Sequence, residues 1–180
     1  MSAQKYVITG ATLADGTRTD LLVANGRIVE TGTGLSATGA STVDAEGLLA
    51  LPGFVDLHTH LREPGFEQSE TVLTGTRAAA AGGFTAVFAM ANTSPVADTA
   101  GVVEQVLSLG ERAGYATVRP IGAVTVGLAG ERLAELGAMA ASRAAVRVFS
   151  DDGKCVSDPL LMRRALEYVK AFDGVIAQHA

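Results

Sequence analysis

"LPGFVDLHTHLREPG", Leu51 to Gly65, is where the chain changes character. An apolar run about one strand long ends in two histidines two positions apart, followed by an arginine and a Pro-Gly turn. The chain has 180 residues and only three histidines, so two of them at one strand end call for a reason. Side chains on a strand alternate faces with period two. His58 and His60 therefore point to the same side, with Asp56 in the same row. Two imidazoles so placed can chelate one metal ion; the plainer alternative is a pair of satisfied buried histidines.

Downstream of Pro52, strand and helix alternate. The strand "GFVDLH" precedes a helix in "SETVLTGTRAAAAGG", with Ser69 as its N-cap and Gly82-Gly83 as its stop. "FTAVFAM" and "TAGVVEQVLSLGERAG" repeat the pattern, as do "ATVRPIGAV" and "GERLAELGAMAAS". The fourth pair is "AVRVFS" and "SDPLLMRRALEYVKAFDG", with Ser157 as N-cap and Pro159 in the first turn. A fifth strand, "VIAQHA", follows. Such alternation predicts an α/β fold with a parallel sheet and right-handed crossovers. It admits an open doubly wound sheet, or a (β/α)8 barrel cut after its fifth strand. The first strand has no Gly-rich phosphate loop after it, which counts against a nucleotide-binding open sheet.

Upstream, β-branched runs are broken by Asp15-Gly16 and Asn25-Gly26, which are hairpin signals because both residues of such turns tolerate positive φ. "STVDAEGLLALPG" reads as another strand pair. Residues 1–50 are thus expected to form a small antiparallel β-sheet domain, and residues 51–180 the strand–helix domain.

Composition narrows the class. Hydrophobic residues make up 48% and charged residues 18%, which suits a core-rich folded protein. Net charge is −5 with no basic run, which argues against a nucleic-acid partner. The single cysteine, Cys155, excludes an intramolecular disulfide and fits a reducing compartment. The N-terminus lacks a signal-peptide core, and no apolar stretch nears the roughly 20 residues of a membrane span. The expectation is a cytoplasmic protein.

The other conspicuous polar residues also fall at predicted strand ends. Asn92 and Thr93 follow the second strand, Ser150, Asp151 and Asp152 the fourth, and His179 ends the fifth. Ligands gather at the carboxyl ends of strands in parallel α/β folds, so the shared position points to an enzyme site. In "FSDDG", Asp151 is nearer the strand and is the expected bridge between two metal ions, with Asp152 capping the turn or supporting a ligand. Arg62, at the mouth of the site, suits bidentate grip of a substrate carboxylate; its alternative is a weak surface pair with Glu63.

"LPGFVDLHTHLREPGFEQSET", "FAMANTSPV" and "VFSDDG", in this order and spacing, resemble the cyclic amidohydrolases, and within them the longer bacterial dihydroorotases. The resemblance spans the chain, including the N-terminal sheet that precedes the barrel. It implies the first five strands of a metal-dependent-hydrolase barrel. It also implies zinc, one or two ions: His58 and His60 on the first, His179 on the second, and Asp151 between. Arg62 and Asn92 would hold the carboxylate of dihydroorotate. Hydantoinases and dihydropyrimidinases bridge with a carboxylated lysine, whereas "FSDDG" supplies an aspartate. Ala91 stands where the family has proline. The family's further histidine, and the aspartate that serves as general base, are expected beyond Ala180, so this stretch alone is expected to be inactive. The implied partners are dihydroorotate and N-carbamoyl-aspartate, with a homodimer or aspartate transcarbamoylase as protein partner. The rivals are an allantoin- or hydantoin-cleaving relative and a non-catalytic scaffold.

Overall fold

The structure, a computed structural model, describes residues 4–179. It divides into two compact units, Met1–Pro52 and Gly53–Ala180.

In the first unit β1 (Lys5–Leu13), β2 (Arg18–Ala24) and β3 (Arg27–Gly32) form an antiparallel meander. Asn25 and Gly26 turn β2 into β3 with φ of 53° and 72° at the two central positions, the conformation that selects Asn-Gly. The sheet is mixed, not purely antiparallel. β4 (Ser41–Asp44) and β5 (Leu49–Ala50) do not pair with each other; both lie parallel along β1. The strand order β3-β2-β1-β4 gives the reason. The chain leaves β3 at one edge, crosses to the free edge of β1, and enters it in the direction of β1. Asp20 secures that crossing, since its carboxylate accepts from Gly10 N at 2.8 Å, Gly34 N at 2.7 Å and Leu35 N at 3.1 Å. These donors, Gly10 N–H foremost, hold its carboxyl below the ordinary carboxylate range.

In the second unit β6 (Phe54–Thr59), β7 (Phe84–Ala89) and β8 (Thr117–Pro120) pair in parallel, as do β9 (Val148–Phe149) and β10 (Val175–Ile176). A parallel bridge between Gly122 and Phe149 joins the two sets. The strands thus stand side by side in chain order. A doubly wound sheet reverses its order at a switch point, and this one does not, so the arrangement is the arc of a (β/α)8 barrel. β6 pairs only with β7 among the described residues, and its Phe54, Val55 and Leu57 are more than half exposed.

Helices α1 (Val72–Ala81), α2 (Ala100–Ala113), α3 (Leu136–Ala141) and α4 (Pro159–Val169) connect these strands. Their boundaries correct three sequence expectations. The N-cap of α1 is Thr71, in a capping box with Thr74, because Ser69 and Glu70 are already turned onto the carbonyl of Phe66. The cap of α4 is Asp158, which accepts from Leu160 N and Leu161 N just ahead of Pro159. The third helix covers only half of its expected span. Gly127, Leu128 and Gly130 take φ near 60–71°, and a bridge from Thr125 to Leu133 folds the preceding residues into a closed loop. The layer between strands and helices is buried around Val103, Leu136, Met139, Phe149, Leu161 and Ala165. Gly110 lets α2 rest on Val118 of β8, since a Cβ there would stand 2.5 Å from that side chain.

Candidate metal centre

Each candidate residue sits at a carboxyl end of a barrel strand, and local geometry decides where it points. His58 lies in β6 and His60 just past it, and their Nε2 atoms stand 3.3 Å apart. The loop that follows is pinned on both sides. Glu63 accepts from Val72 N at 2.8 Å, at the start of α1. Pro64 O accepts from Ser94 N at 2.9 Å, in the loop after β7. Gly65, at φ 100°, lies so close to Ser94 that any Cβ would run into its carbonyl oxygen.

Asp152 closes the site. Its Oδ1 is 3.4 Å from His58 Nε2 and 3.3 Å from His179 Nδ1, and its Oδ2 is 3.4 Å from His60 Nε2. It therefore stands between the histidine pair and the third histidine, although it is itself only 7% exposed. Asp151, favoured for that place by the sequence, is turned away. It is 1% exposed and accepts from Val124 N at 2.8 Å, Thr125 N at 3.0 Å and the Thr125 hydroxyl. The donors decide between the two: those of the loop after β8 hold Asp151, and Asp152 is left facing the histidines. Asp56 is not part of the cluster either; its Oδ1 accepts from the His58 backbone N–H at 3.0 Å.

Asn92 is at the site and in contact with its members. Its Oδ1 lies 3.0 Å from His60 Nδ1, and its Nδ2 donates to Asp152 Oδ2 at 3.3 Å. A carbonyl oxygen only accepts, so Nδ1 of His60 carries a proton, and in the neutral ring Nε2 then presents the lone pair. That lone pair faces another imidazole nitrogen and a carboxylate. A cation shared among these atoms satisfies all of them at once. His58, His60 and Asp152 form a group whose ligand atoms all lie within 4.8 Å of one another. Ligands about 2.0–2.1 Å from a tetrahedral ion stand roughly 3.3 Å apart. The two Nε2 atoms are 3.3 Å apart and each lies 3.4 Å from one of the two Asp152 oxygens, so the residues present are close enough together to fit a metal ion.

Arg62, at φ 60°, closes a turn through its carbonyl to Phe66 N at 3.0 Å. Glu63 is engaged with α1, and the Arg62 guanidinium has no carboxylate partner among the described residues. A cleft of about 190 Å³ runs over His58, Ser150, Asp152 and His179. A larger cavity of about 490 Å³ opens among Thr85, Tyr115, Thr117 and Arg119, where β7 and β8 begin. That is the opposite end of the strands, which in such barrels serves stability and not chemistry.

Strand order and ligand cluster together define a (β/α)-barrel protein able to hold a metal. Residues 47–180 match the family described as Dihydro-orotase-like, and the chain belongs to that family. It is 88% identical over its full length to a dihydroorotase of Leifsonia xyli subsp. xyli, and 68% identical over 98% of its length to one of Streptomyces coelicolor. In both cases it spans 41% of the relative's length. Among solved structures, an L-hydantoinase (dihydropyrimidinase) from Arthrobacter aurescens superposes with a TM-score of 0.75 at 21% identity. That match covers 96% of this chain and 40% of the other. A dihydropyrimidinase from Brevibacillus agri gives 0.69 at 22% identity, covering 96% of this chain and 39% of the other. These likenesses support the barrel fold. No helix among the described residues is long and apolar enough to cross a membrane.

Proposed function

We propose that the protein is a zinc-dependent dihydroorotase, which reversibly hydrolyses the cyclic amide of dihydroorotate to N-carbamoyl-L-aspartate. The observation that carries this reading is the convergence of His58, His60 and His179 on the buried carboxylate of Asp152, in a chain of the dihydro-orotase-like family. His58, His60 and Asp152 would hold a first ion, and His179, whose Nδ1 lies 3.3 Å from Asp152 Oδ1, would hold a second with the same carboxylate. Zinc, when bound, supplies Lewis acidity toward the ring carbonyl and lowers the pKa of water. The other tasks belong to side chains. Arg62, with its planar fork unspent, grips the substrate carboxylate bidentately. Asn92 keeps one amide N–H after its bond to Asp152, and this N–H donates to the same carboxylate. Holding the anionic end at two points makes attack on the ring carbonyl effectively intramolecular. Pyrimidine synthesis in the cytoplasm, as a homodimer or with aspartate transcarbamoylase, accords with this reaction.

The test is turnover by the complete natural protein with dihydroorotate, hydantoin and allantoin, alongside zinc analysis. Dihydroorotate turnover that a chelator abolishes and zinc restores is the expected result. Preference for hydantoin or allantoin, or full activity without metal, overturns it.

A further inference from the structure

Asp151 is a buried carboxylate that the proposed chemistry does not use. Its surroundings are built for it alone. Three donors from the loop after β8 converge on its two oxygens: Val124 N, Thr125 N and the Thr125 hydroxyl. The Thr125 oxygen in turn accepts from Gly130 N at 2.9 Å, so the carboxylate reaches to the far side of that loop. On its own loop, the Asp151 carbonyl accepts from Lys154 N at 3.0 Å and Cys155 N at 3.2 Å, which closes the turn containing Asp152. A second carboxylate continues the linkage. Asp98 Oδ2 accepts from Gly127 N at 2.8 Å, tying the loop after β8 to the loop after β7, where Asn92 resides.

We propose that Asp151 is a positioning residue: by clamping the Thr125 loop to the turn after β9, it sets the Asp152 carboxylate between the histidines in advance of metal binding. The inference rests on the metal-centre reading above. A carboxylate with three donors is fixed in place, and the residue peptide-bonded to it is fixed as well. Asp152 makes no comparable set of bonds. Among the described residues, its one hydrogen bond from outside the histidines is the Asn92 amide at 3.3 Å. Its direction therefore comes from the neighbour. Groups that orient a ligand typically change metal affinity by about 10–100-fold when removed.

The experiment measures zinc affinity of the complete natural protein by competition with a chromophoric chelator. The absorption spectrum of the cobalt(II)-loaded protein reports ligand geometry. Asp151→Asn and Thr125→Val are each expected to weaken zinc binding by about 10–100-fold and to alter the cobalt spectrum. Thr125→Ser, which keeps the hydroxyl, is expected to stay near wild type, a rescue that general loosening of the fold would not produce. Adding Asp151→Asn to Asp152→Ala is expected to cost nothing further. Should Asp151→Asn fail to fold, the near-isosteric Thr125→Val carries the test. Wild-type affinity and spectrum in Thr125→Val, with binding lost in Asp152→Ala, overturns the positioning role alone. Undiminished zinc binding in Asp152→Ala overturns the metal-centre reading and this inference with it.

Discussion

The loop after β6 and the loop after β9 both deliver ligating side chains to one point, yet they are specified differently. His58 and His60 ride on a strand and its immediate extension, so the alternation of the pleat aims them. The turn after β9 carries two adjacent carboxylates. Their directions are settled by donors in another loop, 26 and 27 residues away in sequence. Asp151 finds three such donors and is buried; Asp152 finds the histidines. A local period suffices for the first loop, whereas a long-range hydrogen-bond partner decides the second.

Exchanging the fates of the two aspartates tests this contrast most strongly. Asp152→Ala removes a ligand, and zinc affinity in the complete protein should fall by more than about a hundredfold, beyond the range for supporting groups. His58→Ala should match it, because the two loops contribute equivalent ligands. If either variant retains wild-type zinc content after dialysis, the two loops do not share a metal.

Stability should respond in the opposite sense. Asp151→Ala leaves two backbone N–H groups and a hydroxyl without their acceptor, at about 1–3 kcal/mol for each group that water does not reach. A loss of about 3 kcal/mol in the metal-free protein, read from urea unfolding, is expected. Asp152→Ala should cost less than about 1 kcal/mol in the same measurement, because its carboxylate has few bonds to lose. Equal losses in the two variants would erase the distinction drawn here.

A smaller effect separates support from ligation within the β6 loop. Asn92→Ala removes the acceptor that fixes the tautomer of His60, and zinc affinity should drop by about tenfold while His58 and Asp152 still bind. The smallest expected effect concerns how each loop enters its helix. Thr71→Ala and Asp158→Ala should each cost about 1 kcal/mol, as caps do, with Ser69→Ala and Ser157→Ala within about 0.5 kcal/mol of wild type. Thermal unfolding of the four variants ranks them, and a larger loss for either serine would contradict the cap geometry.

The sequence by itself determined the elements that depend on near neighbours. The Asn25-Gly26 turn, the succession of strands and helices from Pro52 onward, and the convergence of His58 with His60 all follow from local periods and turn chemistry. Helix starts were legible only to within two residues. Ser69, Thr71, Ser157 and Asp158 are all competent caps, and the choice falls to whichever side chain the preceding turn leaves pointing at the helix. Tertiary structure alone decided the rest. The mixed sheet of the first unit arises because the chain crosses to the free edge of β1, a choice invisible in "STVDAEGLLALPG". The loop that replaces half of the third helix is closed by pairing between Thr125 and Leu133. The assignment between Asp151 and Asp152 was open because both are carboxylates on a turn. A buried carboxylate goes where donors are, and the donors at Val124 and Thr125 come within reach only when β8 and β9 stand side by side.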